Sequence, residues 1–371
     1  MNPLEEEIRQ LIASEGPISV ERYMALALGH PQYGYYVTRD PFGTAGDFVT
    51  APEISQMFGE LLGLWAAEIW FKLGSPGPVH LVELGPGRGT LMADALRAAR
   101  VVKEFQAKLQ VHLVETSPKL REIQREKLAD HAGIVHWHDN IEELPEGPCI
   151  VLANEFFDAL PICQYVMTEE GWRERLVGTD GESLVFGLAG EPEPLIVARA
   201  EPGAVLEAGI SAWQTMHSLT SHIVRHGGAL LAIDYGHTAA GTGDTLQAMQ
   251  KHARADPLES PGEADLTAHV DFSNLARAAK AAGAAVSGPV IQADFLTRLG
   301  IFERAAGLKK NASVRQAIDI DRALLRLVST GEEPGLGGKP VPGMGVLFKV
   351  LGVASKELGV LPGFESREGN G

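Results

Sequence analysis

Cysteine is scarce in this sequence, and neither copy stands in a redox or metal-binding motif. The 371 residues include two cysteines, Cys149 and Cys163, which fall on or next to predicted strands without a Cys-x-x-Cys pair. That spacing excludes a disulfide framework and a cysteine-based zinc site, and it favours a reducing compartment. We interpret both residues as core thiols.

Positive charge is also scarce. The chain carries 32 Lys and Arg against 48 Asp and Glu, a formal net charge of -16 at pH 7, and it contains no basic run. A nucleic-acid partner requires a surface rich in Lys and Arg, so we expect no such partner. An acidic enzyme suits a basic substrate, although acidity for solubility alone is the stronger reading of net charge by itself.

Targeting signals and long apolar runs are missing near the first residues. The acidic run Glu5-Glu6-Glu7 precedes an apolar stretch that is too short to span a bilayer. The segment lacks the basic flank of a signal peptide and the Arg-rich, acid-poor character of a transit peptide. We therefore predict a cytoplasmic protein without stable membrane insertion.

Metal-binding and nucleophile motifs are missing as well. His252, Asp265, His269 and Asp271 lie near one another, but their spacing matches no compact ligand set. The chain has no Gly-x-Ser-x-Gly nucleophile elbow and no repeat of fixed period. We predict no metal site.

Glycine is abundant, and three glycines form the most informative motif. Residues 82–90 read Val-Glu-Leu-Gly-Pro-Gly-Arg-Gly-Thr, in which Gly85, Gly87 and Gly89 let a strand turn into a helix with its backbone close to a ligand. The spacing differs from the Gly-x-Gly-x-x-Gly dinucleotide fingerprint. Glu83 would repel a pyrophosphate but suits S-adenosylmethionine, which carries a sulfonium and an ammonium. The motif favours methyl transfer, and an ordinary glycine-rich turn is the alternative.

Helices and strands alternate after this motif, which predicts an α/β fold with a doubly wound, Rossmann-like sheet of the class I methyltransferase type. Glu115 ends the second predicted strand, where such folds bind the ribose hydroxyls of a nucleoside. Asp139 and Asn140 follow the third strand, and we assign them to the adenine. Alternatively, Glu115 is a solvated carboxylate at the start of a helix, and Asp139 is an ordinary turn carboxylate.

The fourth predicted strand leads into Asn-Glu-Phe-Phe-Asp-Ala-Leu-Pro at 154–161. Ligands of such sheets lie outside the carboxyl ends of the strands, so this polar and aromatic segment is a candidate site.

The rest of the chain divides into four predicted units. Residues 1–75 form a helical extension with a lid loop, 76–160 the cofactor-binding half, 161–204 an inserted strand meander, and 205–371 the second half. Within the last unit, 237–271 shows no clear period and is predicted to be a long ordered lid.

A loop with three tyrosines precedes the cofactor motif. The string Tyr-Gly-Tyr-Tyr at 33–36 either closes over a bound cofactor or only packs. Thr50 and Glu53 have the spacing of a capping box, which predicts a single helix over 52–73.

Together these strings resemble the MidA-like family of S-adenosylmethionine-dependent methyltransferases, which includes the mitochondrial complex I assembly-factor methyltransferase and its bacterial relatives. The resemblance covers nearly the whole chain. It implies a seven-stranded methyltransferase sheet with an inserted lobe and S-adenosylmethionine as cofactor. It also implies methylation of an arginine in a partner protein, which is the quinone-site subunit of respiratory complex I in the mitochondrial case. The strings that carry it are 46–53, 82–91, 115–118, 153–161, 233–236 and 265–271.

Methyl transfer from a sulfonium is an in-line displacement that mainly requires positioning and exclusion of water. A guanidinium acceptor would be oriented by carboxylates, for which Glu155 and Asp158 are the candidates. Asn154 could contact the methionine portion or the acceptor, and Asp47 and Asp234 are weaker candidates for the same pocket. A helix-capping role for Asp158 and a surface position for Glu155 are the alternatives.

Two other functions fit the sequence. One is a small-molecule methyltransferase. The other is a non-catalytic S-adenosylmethionine-binding assembly factor, because a fold does not entail an activity.

Overall fold

The computed structural model describes residues 2–38, 50–250, 253–334 and 340–365. The string 46–49, with the candidate Asp47, lies outside the described residues, and so does His252. The strands are β1 Ile18–Ser19, β2 Val79–Leu84, β3 Leu109–Val114, β4 Val135–His138, β5 Cys149–Asn154, β6 Cys163–Thr168, β7 Gly171–Thr179, β8 Leu184–Leu188, β9 Val205–Ala208, β10 Gly228–His237, β11 Gln247–Gln250, β12 Ala253–Ala255, β13 Asp265–Thr267, β14 Val270–Asp271, β15 Ala285–Ile291, β16 Glu332–Pro334, β17 Pro340–Pro342 and β18 Phe348–Ala354. The helices are α1 Pro3–Glu15, α2 Val20–Gly29, α3 Tyr35–Thr38, α4 Ala51–Ile54, α5 Gln56–Lys72, α6 Thr90–Ala99, α7 Lys103–Gln106, α8 Pro118–Lys127, α9 Ile210–His226, α10 Phe272–Ala281, α11 Gln292–Arg298, α12 Ile301–Lys309, α13 Val314–Val328 and α14 Met344–Leu347.

The central sheet has the strand order β15-β18-β10-β5-β2-β3-β4, and β14 adds to the end of β10. Strands β4, β3, β2, β5 and β10 are parallel, whereas β18 runs antiparallel to both of its neighbours. The chain moves outward from β2 to β3 and β4 and then returns to β5 on the other side of β2. The topological switch point therefore lies between the carboxyl ends of β2 and β5, where ligands bind in such sheets. The predicted α/β fold class is confirmed.

Helices cover both faces of this sheet. In β2 all six residues are buried, and alternate residues enter opposite cores: Val79 and Leu81 face one side, and Val82 and Leu84 face the other. Side chains of α5, α6 and α11 to α13 fill the first core, and those of α9 and α10 fill the second. This two-sided burial holds the strand ends, and the loops that follow them, in place.

The predicted single helix over 52–73 is wrong, and so is its capping box. Ser55 is extended, with φ -162° and ψ 137°, and it separates α4 from α5. The Ser55 hydroxyl accepts from the Met57 N–H at 3.2 Å and caps α5, whereas the Thr50 side chain makes no cap hydrogen bond. Glu53 instead accepts a hydrogen bond from the Thr90 hydroxyl at the start of α6. A donor distant in sequence thus replaces the expected local one.

A second, smaller sheet adjoins the cofactor half. It has the order β1-β7-β6-β9, with β8 pairing on β7. Strand β1 of the helical extension joins it through Ile18 and Val177, so the extension and the inserted strands share one sheet and one core.

The segment 237–271 contains regular structure that its sequence does not indicate. Strands β11, β12 and β13 form a three-stranded antiparallel sheet. Each strand has only three or four residues, too few to show a period of two.

Candidate cofactor and acceptor site

A cavity of about 1600 Å³ opens at the carboxyl edge of the central sheet. Every predicted strand end contributes to its wall: Gly85 and Gly87 follow β2, Glu115 follows β3, Asp139 and Asn140 follow β4, and Glu155 and Asp158 follow β5. A recess of about 40 Å³ adjoins it between the glycine turn and Asn154, and it is bordered by Glu83 and Arg88. The structure thus brings the predicted site residues together, although Gly89 contacts neither space.

The glycine turn has the backbone that its sequence predicts. Gly85, Gly87 and Gly89 have φ values of +56°, +53° and +74°, in the left-handed region that favours glycine. A Cβ on Gly85 would lie 3.2 Å from the Phe156 ring. Gly89 is the N-cap of α6 and bears on the packing of α8, because a Cβ there would lie 3.4 Å from Gln124 Cγ.

Two acceptor atoms beside this turn have no hydrogen-bond partner within the part of the chain that the structure describes. They are the buried Oε2 of Glu83 and Oδ1 of Asn154, which border the same recess. Burial raises the pKa of Glu83 well above its ordinary value. Buried acceptors without partners are costly, and the ammonium of a methionine moiety supplies the donors that both lack. The recess therefore fits the amino-acid end of S-adenosylmethionine.

Glu115 is buried and held from two sides. Its carboxylate accepts from the Ser117 N–H at 2.8 Å and from Gln124 Nε2 at 3.2 Å, and burial raises its pKa. Each oxygen retains a lone pair that a ribose hydroxyl can use.

Sequence reasoning missed Gln124, which connects three parts of the site. Its amide is fully buried and donates to the Gly87 carbonyl at 2.7 Å as well as to Glu115. Its oxygen accepts from Trp137 Nε1 at 2.9 Å. Nothing in the local pattern of α8 marks this glutamine, because its partners lie after β3, on β4 and in the glycine turn.

Asp139 and Asn140 are exposed at the rim of the cavity. Asp139 pairs with Arg121 at 2.6 Å, and the Asn140 amide donates to Glu143 at 2.9 Å. Their assignment to the adenine remains a prediction.

Glu155 lies at the switch point in a strained conformation. Its φ of +50° is unusual for a residue with a side chain, and such strain concentrates at functional sites. Its Oε1 accepts from the Ala51 N–H at 3.2 Å and from the Asn154 amide at 3.1 Å. Burial, together with the nearby Asp158 carboxylate, raises the pKa of Glu155 to about 7.

Asp158 is buried in the same wall, and its surroundings differ from the expected alternatives. No helix follows it, so it caps none. Burial raises its pKa to about 6, while a hydrogen bond from the Tyr235 hydroxyl opposes that rise. Asp234 is fully buried behind this turn and accepts from the Phe157 and Asp158 N–H groups at 3.1 Å each. The expectation that Asp234 lines the pocket is wrong, because the backbone of the turn occupies its carboxylate.

The opposite wall comes from the tyrosine string, for which closing over the cofactor was one of two interpretations, and from the segment 237–271, which is predicted to be a lid. Tyr36 of α3, with Asp265 and Thr267 of β13, lines the cavity. The tyrosine string 33–36 therefore reaches the site, and so does the segment 237–271.

Neither a metal site nor a membrane span is present among the described residues. No group of three or more His, Cys, Asp or Glu side chains there could hold a metal ion. None of the described helices is long and apolar enough to cross a bilayer.

Comparison with known proteins identifies the family. The sequence model of a family of S-adenosyl-L-methionine-dependent methyltransferases matches residues 61–290. The chain belongs to this methyltransferase family. The Danio rerio protein arginine methyltransferase NDUFAF7, mitochondrial, is 42% identical over 322 residues, which cover 79% of this chain and 75% of that protein. The Homo sapiens protein of the same name is 40% identical over 352 residues, or 85% and 79% of the two chains.

A solved structure supports the same assignment for this methyltransferase. A Burkholderia thailandensis protein bound to S-adenosyl-homocysteine is 30% identical, with a TM-score of 0.83 over 97% of this chain and 94% of that chain. The predicted family, cofactor and enzyme class are confirmed: the chain is an S-adenosylmethionine-dependent methyltransferase. The predicted cytoplasmic location is contradicted, because the curated relatives are named as mitochondrial proteins.

Proposed function

We propose that this methyltransferase methylates a guanidinium nitrogen of an arginine in a partner protein. Two observations support the proposal. The relatives at about 40% identity are named protein arginine methyltransferases, and the half-buried Glu155 and the buried Asp158 line the cavity beside the glycine turn. The family resemblance further suggests a subunit of respiratory complex I as the partner.

In the donor half of the cavity, different residues would hold the methionine, ribose and adenine parts of S-adenosylmethionine. Glu83 and Asn154 would accept from the methionine ammonium, and Arg88, which borders the same recess, would hold the methionine carboxylate. Glu115 would accept from the ribose hydroxyls, with Asp139 and Asn140 at the adenine. The cofactor supplies an activated methyl group when it is bound. The glycine turn brings the backbone close to it. Tyr36 and Thr50 of the helical extension and Thr267 of β13 line the cavity and help to exclude water.

The acceptor half depends on Glu155 and Asp158. A guanidinium is planar and cationic, and carboxylates that accept from it bidentately orient one nitrogen toward the methyl group. That nitrogen forms a bond to the methyl carbon while the sulfur–carbon bond breaks and leaves its electron pair on sulfur. The nitrogen then releases one proton, for which the Glu155 carboxylate is the acceptor. A pKa of about 7 suits that exchange near neutral pH.

Two charge-neutral variants separate acceptor chemistry from cofactor binding. We expect Glu155→Gln and Asp158→Asn to bind S-adenosyl-homocysteine as the wild type does and to lose methyl transfer by about 100-fold or more, because charge is removed and shape is kept. Calorimetry measures the binding, and mass spectrometry of methylarginine in the partner protein measures the transfer.

The control is Glu146→Gln, which neutralises an exposed carboxylate on the loop before β5. It should transfer methyl groups at the wild-type rate. Loss of cofactor binding in either test variant would overturn this division of roles. Wild-type protein that binds the cofactor but methylates no arginine would favour the non-catalytic assembly factor.

A further inference from the structure

Three histidines contact one another in a row across the central sheet. His80 of β2, His112 of β3 and His138 of β4 lie on the same face of three adjacent strands. His80 Nδ1 lies 2.9 Å from His112 Nε2, and His112 Nδ1 lies 2.9 Å from His138 Nε2. Both are hydrogen-bond distances, in which one ring donates and the next accepts. We call these three residues the histidine chain.

The histidine chain has an acceptor at each end. The Glu146 carbonyl accepts a hydrogen bond from the His80 ring, whose Nε2 would lie 3.0 Å from a Cβ on Gly147. At the other end, Glu143 Oε2 lies 3.9 Å from His138 Nδ1. Two acceptors and two ring contacts make four links, but three neutral imidazoles carry one N–H each. One link therefore lacks a hydrogen until the chain binds a proton.

The open link is the one between His138 and Glu143, because 3.9 Å is too long for a hydrogen bond. With Glu146 as the acceptor for His80, the tautomers of all three rings are determined. His80 Nδ1 accepts from His112, and His112 Nδ1 accepts from His138 Nε2. The lone pair of His138 Nδ1 then faces a carboxylate. A proton added to this nitrogen replaces that repulsion by a charge-assisted hydrogen bond.

Glu143 connects the histidine chain to the cofactor cavity. Its Oε2 accepts from the Asp139 N–H at 3.0 Å, and its Oε1 accepts from the Asn140 amide at 2.9 Å. Asp139 and Asn140 line the cavity. A carboxylate held by His138 from behind therefore holds the turn 139–143 from within.

The groups around the histidine chain set the pH at which it takes up this proton. Burial lowers the pKa of all three rings, that of His112 to about 3, so the proton resides on His138 at the end of the chain. Uptake thus occurs below the ordinary pKa of histidine, in mildly acidic solution. Glu143 and Asp139 favour the charged form of His138. The positive or titrating groups that oppose charge on the chain or surround its His80 end are Arg121 of α8, His136 of β4, and His222, Arg225 and His226 of α9.

We propose that His138 is a positioning residue for the cofactor: a proton shared between His138 and Glu143 holds the turn 139–143 in its cofactor-binding position. This role concerns cofactor binding and holds for any methyl acceptor. By linkage, the enzyme takes up a proton at His138 when S-adenosyl-homocysteine binds in mildly acidic solution.

The test measures S-adenosyl-homocysteine binding to the full chain by calorimetry at pH 8 and pH 5.5. Buffers that differ in ionisation enthalpy give the number of protons taken up on binding. The variant is His138→Gln, whose amide can still donate to His112 but cannot take up a proton. From pH 8 to pH 5.5, the wild type should gain about 3- to 10-fold in affinity relative to this variant, the effect of one charge-assisted hydrogen bond. It should also take up more protons than the variant at pH 5.5.

His136→Gln is the matched control, because His136 lies on the same strand and stacks on His112 without being a link of the chain. It should keep the wild-type pH dependence, with a midpoint at the same or a higher pH since a neighbouring positive charge is removed. Loss of the pH dependence in this control would overturn the proposal, because the titration would then not follow the hydrogen-bonded chain.

An affinity ratio of wild type to His138→Gln that is the same at both pH values would also overturn the proposal, as would equal proton uptake by the two proteins. If His138→Gln does not fold by circular dichroism, Glu143→Gln removes the charge from the other partner, whose side chain is 45% exposed. That variant should lose the same pH dependence. If it retained the wild-type dependence, Glu143 would not be the partner of the proton and the proposal would be wrong.

Discussion

At the scale of single residues, the site depends on buried polar groups that hold one another. Gln124 is the clearest case, because one fully buried amide fixes the glycine turn, the Glu115 carboxylate and the Trp137 ring. Hydrogen bonds of this kind restrict the rotamers of the groups that contact a ligand, so the cofactor meets a preorganised wall.

Removing this amide should therefore impair cofactor binding. We expect Gln124→Leu to weaken S-adenosyl-homocysteine binding by about 10- to 100-fold, because the Gly87 carbonyl and Glu115 each lose a donor. Calorimetry measures the affinity. The control is Gln10→Leu on the exposed face of α1, which should bind as the wild type does. Wild-type affinity in Gln124→Leu would show that the turn keeps its shape without the amide.

At the scale of elements, helices α5 and α6 pack unusually closely, and this contact fixes the start of α6. Helix α5 meets α6 through Gly59 and Gly63, and a Cβ on Gly63 would lie 2.4 Å from the Ala95 carbonyl oxygen. The backbones can approach this closely only because the glycines carry no side chain. The same contact positions Thr90 for its hydrogen bond to Glu53 beside the cofactor recess.

A methyl group at this crossing should push the helices apart. We expect Gly63→Ala to lower the free energy of unfolding by about 1–3 kcal/mol through overpacking, measured by urea denaturation. The control is Gly307→Ala within α12, where a Cβ meets nothing within 4 Å. Since alanine favours helices, that variant should be neutral or stabilised by about 0.5–1 kcal/mol. Equal stability of the two variants would contradict the close approach.

At the scale of the whole molecule, the sheet, the inserted strands and the segment 237–271 enclose carboxyl groups at a cost to the folded state. Burial raises the pKa of Glu155 to about 7 and that of Asp158 to about 6. Between about pH 4 and pH 7 the folded state therefore binds more protons at these sites than the unfolded state does. By linkage, their contribution to stability falls as the pH rises through this range.

The double variant Glu155→Gln, Asp158→Asn should reveal this cost. We expect its melting temperature, without ligand, to exceed that of the wild type at pH 8, and the difference to shrink as the pH falls to 5, where the wild-type groups are protonated. The buried His112, whose pKa depends on other groups, is common to both proteins and cancels in the difference. Asp234 does not cancel, because Asp158 and Glu155 help to raise its pKa, and its relief in the double variant adds to the difference in the same direction. A difference independent of pH would contradict the raised pKa values.

The cofactor half of this enzyme could be predicted from sequence because its signals are local. Three glycines specify a turn with positive φ, and an acid directly after an apolar run specifies a strand end, whatever surrounds them. The resemblance of contiguous strings then extended the prediction to the family and its cofactor. Helix capping was the exception, since the Glu53 carboxylate accepts a hydrogen bond from the Thr90 hydroxyl rather than from the backbone at the start of its own helix.

The remaining features depend on contacts between segments distant in the chain. The Gln124 side chain bonds to Gly87 after β2, Glu115 after β3 and Trp137 on β4. Asp234 of β10 likewise accepts from the backbone of the turn after β5. No short window contains such a set. Neighbouring residues thus determine where a strand ends. The burial and pKa of the site carboxylates, and the opposing wall of the cavity, arise only when distant segments meet in the folded chain.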